Sequence, residues 1–281
     1  MGLTHRLRIW VAWGLVSLGM GLFAPAFSAK RIISLSPSLT DMVVDLGRGG
    51  WVVGITRYDH NTGVPKAQSV GGWIDPSLDQ IVALQPDLVL MVAAQEPFLG
   101  PNLQKLGIRY KVLPAQTLSD ILTSLDSLGQ WLDCPAQARH LKDSLSQYLV
   151  PPSTPDSTWP TALFIVDHTP GTLQNLYAAG NHTYLHELLT LAGFRNVCAD
   201  YEGFLSLSLE QVIAWDPEVI FEMSQSASPS PTPWAQLPRL RAVQRGWIFS
   251  LDPDLFSHPS TRFPQALKKL QNIRESLHAN R

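Results

Sequence analysis

The feature that most constrains this chain is a fourteen-residue segment that occurs twice. Residues 77–90 read SLDQIVALQPDLVL, and residues 208–221 read SLEQVIAWDPEVIF. Each copy opens with a serine suited to a helix N-cap, carries an acid two positions later and then passes through a proline into an apolar run. Each copy therefore predicts a short helix followed by a buried parallel strand.

The spacing of the two copies, 131 residues in a chain of 281, indicates two similar lobes rather than a short-period repeat array. Strand-like and helix-like patterns alternate in both halves, which predicts an α/β fold with a parallel sheet in each lobe. Two such lobes leave a cleft between them, and clefts are where ligands bind.

The chain divides into four predicted segments. Residues 1–28 have a basic start, an apolar stretch and a small-x-small pattern at Ala26-Phe27-Ser28, which predicts a signal peptide cleaved near Ser28. An uncleaved membrane anchor is the alternative, but the apolar run is short for a span. We expect an N-terminal lobe over 29–134, a connecting helix and turn over 135–155, and a C-terminal lobe over 156–281.

Composition and motifs exclude several classes of function. The net charge is −2 and no basic run is present, so nucleic acid is not an expected partner. Glycine-rich phosphate loops, the G-x-S-x-G elbow and H-E-x-x-H are all absent from the sequence, so we expect no enzyme and no resident cofactor or metal. Cys134 and Cys198 are too few for a zinc site, and the sequence leaves open whether they pair.

Candidate ligand contacts follow the predicted strands, because ligands bind at the carboxyl ends of strands in open parallel sheets. The residues in such positions are Tyr58, Trp73, Tyr177, Asn181, Phe204, Asp254, Phe256, His258 and Arg262. The alternative for each aromatic is a place in its own lobe's core. His258 is either an exposed loop histidine or a ligand or metal contact, whereas His60 is interpreted as a surface residue.

The acids at the two helix starts, Asp79 and Glu210, also have two interpretations. One is a favourable interaction with the positive helix N-terminus. The other is a pair of docking charges, one on each lobe, for a basic partner protein.

Several segments resemble the periplasmic binding proteins of cobalamin and ferric-siderophore ABC importers, the helical-backbone metal receptors. They are RIISLSPSLTD at 31–41, VGITRY at 53–58, GGW at 71–73 and PDLVL at 86–90. The resemblance covers nearly all of residues 30–273 and is closest to the cobalamin branch. It implies two Rossmann-like lobes joined by a single long helix, in a monomer that captures a corrinoid in the periplasm and delivers it to an importer's permease dimer in the inner membrane.

The resemblance also implies roles for individual residues. The family's ligand-contacting aromatics match Tyr58, Trp73 and Phe204, and its late acidic contact matches Asp254. Its surface glutamates, which engage arginines on the permease, match Asp79 and Glu210.

The chain departs from the cobalamin branch at two places. His258 replaces a late arginine, and Val92-Ala93-Ala94-Gln95 stands where an aromatic is expected. A ferric siderophore or haem is therefore the alternative ligand, and haem would favour Tyr58 or His258 as an iron ligand. An enzyme or chaperone that reuses the two-lobe fold is the more remote alternative.

Overall fold

A computed structural model describes residues 29–150, 158–223 and 233–279. The predicted signal peptide and the proline-rich turn predicted at 151–155 lie outside the described residues.

The first lobe is built on a five-stranded parallel sheet. Its strands are β1 (Ile32–Ser34), β2 (Val52–Ile55), β3 (Gln68–Ser69), β4 (Leu88–Val92) and β5 (Tyr110–Leu113). They lie in the order β3-β2-β1-β4-β5, and every pairing is parallel. The connecting helices are α1 (Pro37–Asp45), α2 (Leu78–Ala83) and α3 (Glu96–Lys105). The parallel sheet predicted for this lobe is confirmed.

Two helices follow the first sheet, α4 (Leu118–Trp131) and α5 (Pro135–Ser146). A capping box formed by Thr117 and Asp120 begins α4. Helix α5 begins at Pro135, where the connecting helix is predicted, and a 3₁₀ turn at Gln147–Leu149 follows it. The segment boundaries given above stay predictions.

The second lobe carries a six-stranded sheet. Its strands are β6 (Thr161–Asp167), β7 (Leu176–Ala179), β8 (Arg195–Asn196), β9 (Phe204–Leu207), β10 (Val219–Met223) and β11 (Ile248–Leu251). They lie in the order β11-β10-β6-β7-β9, with β8 beside β6. The helices are α6 (Tyr184–Leu191), α7 (Leu209–Trp215), α8 (Arg241–Arg245), α9 (Pro253–Phe256) and α10 (Phe263–Ala279). The predicted two-lobe α/β fold is confirmed.

The second sheet differs from the prediction in one respect, because it is mixed rather than parallel. Strand β7 is antiparallel to both β6 and β9. The chain reverses between β6 and β7 in a short loop, in which Gly171 (φ 75°) and Asn175 (φ 55°) adopt left-handed conformations. A short loop returns the chain antiparallel, whereas a parallel neighbour needs a crossover of about a dozen residues.

The repeated segment folds in the same way in both lobes. The hydroxyl of Ser77 accepts a hydrogen bond from the backbone N–H of Gln80 at 3.3 Å, and that of Ser208 accepts one from Gln211 at 3.2 Å. Helices α2 and α7, and strands β4 and β10, begin 131 residues apart. The helix-then-strand prediction is therefore confirmed in both copies.

One buried cluster spans the two lobes. It runs from Ile32 and Leu90 in the first sheet, through Leu125 in α4, to Phe164 and Phe221 in the second sheet. The lobes are therefore joined by packed apolar side chains as well as by the chain itself.

The two cysteines are both free and buried. Cys134 belongs to the cluster shared by the lobes, whereas Cys198 belongs to a separate cluster of the second lobe. The structure thus answers the question of pairing that the sequence leaves open.

A close backbone approach fixes the loop between β2 and β3. A Cβ atom on Gly49, in the turn after α1, would lie 2.2 Å from the carbonyl oxygen of Gly63. The same atom on the adjacent Gly50 would meet nothing within 4 Å. Of these two neighbouring glycines, only Gly49 is required to be glycine by packing.

We predict that Gly49→Ala lowers the free energy of unfolding by about 1–3 kcal/mol, because the loop must move away from the added methyl group. Gly50→Ala, its matched control, should stay within about 0.5 kcal/mol of the wild type. Urea unfolding of both variants tests this, and a wild-type midpoint for Gly49→Ala would show that the approach is not tight in solution.

Candidate functional site

A cavity of about 310 Å³ lies between the two lobes. The first lobe contributes α1 and the loop after β2, and the second contributes α9 and the loop before α10. The lining residues are Pro37, Asp41, Tyr58, Asp59, His60, Asn61, Thr62, Asp254, His258 and Arg262. These elements follow the carboxyl ends of β1, β2 and β11, where parallel strands place ligands.

Asn61 organises the loop after β2. Its backbone N–H donates to Asp59 Oδ1 at 3.1 Å, and its own Oδ1 accepts from the backbone N–H of Gly63 at 2.8 Å. Its amide nitrogen donates to Asp41 Oδ1 at 2.8 Å. Short polar side chains that bond to nearby backbone in this way stabilise turns. The loop is thus held against α1 and presents its side chains to the cavity.

Helix α1 contacts the second lobe through two carboxylates one turn apart. Asp41 Oδ2 lies 3.8 Å from Nε2 of His258. Asp45 Oδ2 accepts a hydrogen bond of 2.5 Å from the hydroxyl of Thr261. The spacing of Ser38 and Asp41 predicts a capping box, but Ser38 lies inside α1 and Asp41 points across the cleft instead.

Two carboxylates of the cavity wall, those of buried Asp41 and half-buried Asp59, have pKa values shifted in opposite directions. Burial tends to raise the pKa of Asp41, but the proximity of His258 and the hydrogen bond from Asn61 outweigh it, so the pKa is lowered. Burial raises the pKa of Asp59, and the charge of Asp41 adds to that rise. One oxygen of each, Oδ2, is buried without a hydrogen-bond partner among the described residues.

Four of the predicted ligand contacts lie together in this wall. They are Tyr58, Asp254, His258 and Arg262. The side chain of Tyr58 is 56% exposed, and the guanidinium of Arg57 lies 5.7 Å from the centre of its ring. The fold thus brings predicted contacts from both lobes, all of which follow strands in the sequence, into one cavity.

A second group of predicted contacts forms an aromatic cluster in the C-terminal lobe, outside the cavity lining. Tyr177 on β7 stacks on Phe204 on β9 with ring centres 6.1 Å apart. Tyr184 meets Phe204 edge-on at 6.3 Å, and its hydroxyl donates to the carbonyl of Phe256 at 2.6 Å. Tyr177 is 39% exposed, so this cluster offers an apolar face.

Trp73 is half-buried and packs against the shared core. Its carbonyl oxygen accepts a 2.6 Å hydrogen bond from the buried amide of Gln95, which also donates to the carbonyl of Leu35 at 2.9 Å. Gln95 Oε1 accepts from the backbone N–H of Val92 at 3.0 Å. The resemblance predicts an aromatic residue in the segment 92–95. The chain has Gln95 there instead, and its side chain hydrogen-bonds the end of β1, the end of β4 and the segment that carries Trp73.

The two remaining predicted contacts lie elsewhere. Phe256 is 1% exposed and packs 6.0 Å from the ring of Phe164, so its ring belongs to the core and offers no surface to a ligand. Asn181 is half-buried, and its Oδ1 accepts from the backbone N–H of His182 at 2.9 Å.

Six residues of the cavity wall are not among the predicted contacts: Pro37, Asp41, Asp59, His60, Asn61 and Thr62. The interpretation of His60 as a surface residue is incomplete, because His60 is exposed and also lines the cavity. Four of the six directly follow Tyr58, so their place after β2 is the signal that could have found them.

Asp79 and Glu210 are exposed on α2 and α7 and do not line the cavity. The pKa of Glu210 is lowered by hydrogen bonds from its own backbone N–H and from the hydroxyl of Ser208. The helix start thus stabilises the ionised form of this acid, as the structural interpretation requires.

Neither a metal-binding group of side chains nor a membrane-spanning helix is present in the described part of the chain. Within residues 29–150, 158–223 and 233–279, no three His, Cys, Asp or Glu side chains are grouped so as to hold a metal ion. No helix in those same ranges is long and apolar enough to cross a membrane.

The fold and the inter-lobe cavity define a two-lobed solute-binding protein, and comparison with known proteins places the chain in a family. The model of the periplasmic binding protein family matches residues 32–255. The chain belongs to this family, whose members bind solutes.

Individual relatives are similar over nearly their whole length. The vitamin B12-binding protein of Yersinia pestis is 28% identical over 256 residues, which cover 89% of this chain and 88% of the relative. The crystal structure of the periplasmic vitamin B12-binding protein of Vibrio cholerae aligns with a TM-score of 0.72 at 24% identity, over 89% and 98% of the two chains. A periplasmic haem-binding protein from Pseudomonas aeruginosa aligns with a TM-score of 0.73 at 25% identity, over 86% and 91%.

We predict that acid unfolds the protein partly through Asp41. Because its folded-state pKa is below the ordinary value of 3.8, the stabilisation it gives is present above that value and is lost as the pH falls through the folded-state pKa. Between about pH 5 and pH 3, the melting temperature of the wild type should fall more steeply than that of Asp41→Asn. The control is Asp143→Asn on an exposed part of α5, which should follow the wild type; equal slopes for Asp41→Asn and the wild type would refute the contribution.

Proposed function

We propose that this protein is the periplasmic receptor of an ABC importer and that it captures a corrinoid between its lobes. Its relatives support the class of ligand, since the relative from Yersinia pestis and the solved structure from Vibrio cholerae are vitamin B12-binding proteins. The observation that carries the proposal for this chain is the chemistry of the cavity wall.

The charge of the wall favours a ligand rich in hydrogen-bond donors over an anionic one. Asp41, Asp59 and Asp254 line the cavity, and among the residues that the structure describes Arg262 is the one arginine or lysine in its lining. Buried carboxylate oxygens without donors are costly, and Asp41 and Asp59, which have one such oxygen each, line the cavity. The amide groups at the rim of a corrinoid would supply N–H donors, whereas the propionates of haem would meet like charge.

The size of the cavity indicates that it accommodates one edge of the ligand. Its volume, about 310 Å³, lies at the lower end of the range for small-molecule sites. In this proposal the polar rim of a corrinoid enters the cavity, and its flat face contacts exposed rings. Tyr58 and Tyr177, the latter stacked on half-buried Phe204, offer such rings, because aromatic side chains combine large apolar area with few rotatable bonds.

The second candidate ligand is haem. Tyr58, His60 and His258 all line the cavity, and phenolate and imidazole are side-chain ligands of haem iron. This alternative keeps the receptor role and changes only the cargo. A ferric siderophore is the third possibility, and it too would have to be accommodated beside three aspartates.

Delivery requires contact with the importer. We propose that Asp79 and Glu210, exposed at equivalent positions of the two lobes, form ion pairs with basic residues of a permease dimer. The receptor would thus present one acid to each permease subunit.

The first test is titration of the purified mature protein with cyanocobalamin, haem and a panel of ferric siderophores, followed by tryptophan fluorescence. We expect one-to-one binding of cyanocobalamin with a Kd of roughly 1 μM or lower. Tight binding of haem alone would move the assignment to the second candidate. Failure of every ligand would refute the proposed cargo class.

The same titration, repeated with variants, tests whether the residues of the cavity wall contact the ligand. Tyr58→Ala should weaken binding by roughly tenfold or more, because a large exposed ring in the cavity is removed. Tyr148→Ala removes a ring that is 48% exposed but does not line the cavity, and it should bind as the wild type does.

We predict that Asp79→Ala combined with Glu210→Ala abolishes most transport by the reconstituted importer and leaves ligand binding unchanged. The reason is that both docking charges are lost while the cavity is intact. Asp143→Ala with Glu275→Ala, which removes one exposed Asp and one exposed Glu from other helices, is the charge-matched control. Normal transport by the Asp79/Glu210 variant would refute the docking role.

A further inference from the structure

Each of the two docking acids is accompanied by an exposed aliphatic side chain. Val82 on α2 is 47% exposed, and Ile213 on α7 is 49% exposed. Val82 follows Asp79 by three residues, and Ile213 follows Glu210 by three residues. Residues at this spacing are neighbours on one helix face.

The buried face of each helix explains why the acid and the exposed aliphatic residue point to solvent. Ile81 of α2 and Val212 of α7 are fully buried in their lobes. Each helix is thus anchored by one aliphatic residue and exposes the next one beside its acid. Isolated exposed aliphatics are common on proteins, but these two occupy equivalent positions of a repeat.

A cavity adjoins each exposed aliphatic residue. Beside α2, a cavity of about 440 Å³ is lined by Val82, Pro86, Leu106 and Ile108 among others. Beside α7, a cavity of about 400 Å³ is lined by Ile213, Leu237, Pro238 and Leu240 among others. Both have several apolar side chains in their walls together with charged ones, Asp87 and Arg109 beside α2 and Asp216 and Arg239 beside α7.

The same backbone turn shapes both cavities. Gln85 (φ 45°) and Asp216 (φ 43°) are left-handed residues just after α2 and α7, they are 131 residues apart, and each lines its cavity. Left-handed conformations are uncommon for residues other than glycine. The α2 side of one cavity and the α7 side of the other are therefore built in the same way, whereas the facing wall comes from the turn after α3 in the first lobe and from the segment before α8 in the second.

We infer that each lobe carries a composite docking site, in which an acid is adjoined by an apolar recess that receives an aliphatic or aromatic side chain of the permease. This inference rests on the proposed importer partner and adds an apolar component to it. Two equivalent sites require a partner that presents the same feature twice, which a two-fold symmetric dimer does.

The apolar component matters because exposed ion pairs alone contribute little to affinity. Charges mainly steer the encounter and fix orientation, whereas buried apolar contacts hold a complex together. The acids and the recesses therefore have separable effects: the acids set the salt dependence of docking, and the recesses set how long the complex lasts.

The test measures docking of the ligand-loaded mature protein to the importer's permease–ATPase complex in nanodiscs, by biolayer interferometry at several salt concentrations. Val82→Thr and Ile213→Thr keep the side-chain shape at the branch and place a hydroxyl in each recess. We expect each substitution to weaken docking by roughly tenfold, mainly through faster dissociation, with an unchanged salt dependence. Asp79→Asn with Glu210→Gln should instead reduce the salt dependence.

Val150→Thr is the control, because Val150 is 72% exposed and lines neither recess. Wild-type docking by the Val82/Ile213 double variant would refute the apolar recesses while the importer assignment stands. No docking by the wild type would refute the assignment and this inference together. Loss of self-association in the double variant, measured by sedimentation velocity, would show that a second copy of the chain occupies the recesses and would overturn the inference.

Discussion

The structure depends on one helix that belongs to the first lobe and bonds to the second. Helix α1 begins at the carboxyl end of β1, and its Asp41 and Asp45 reach His258 and Thr261 across the cleft. The same Asp41 holds the loop after β2 through Asn61. The position of that loop, the separation of the lobes and the charge of the cavity wall are therefore set by a single helix face. A change there alters all three together.

The architecture separates two kinds of surface. The inter-lobe cavity is polar and is built from loops at the carboxyl ends of strands, where parallel sheets converge. The acids and recesses of α2 and α7 lie outside it and recur once in each lobe. Loops vary more freely than the elements they connect. The ligand surface is thus formed by unlike loops of the two lobes, whereas the acids of the proposed docking surface lie on like elements, α2 and α7.

Much of the fold can be predicted from the sequence because each copy of the repeat contains a helix cap, a helix-ending proline and an apolar strand, all of which act between residues close in the chain. Ser77 and Ser208 cap helices, and the apolar runs after Pro86 and Pro217 have the composition of buried strands. The direction of the antiparallel strand β7 depends on the turn before it, which the repeat does not encode. Tyr58 and His258 are predicted from their places after strands, whereas the role of Asp41 depends on a contact between residues 217 positions apart. Phe256 shows the converse, since position alone does not distinguish a wall residue from a core residue.

The buried amide of Gln95 has a consequence for how the protein responds to cargo. It bonds the ends of β1 and β4 and the segment that carries Trp73 into one unit. Breaking those bonds inside the protein would leave buried polar groups without partners. This part of the first lobe therefore resists local rearrangement. In the proposed receptor, adjustment to a solute would fall to the loop after β2 or to the angle between the lobes, and the segment around Trp73 would keep its place.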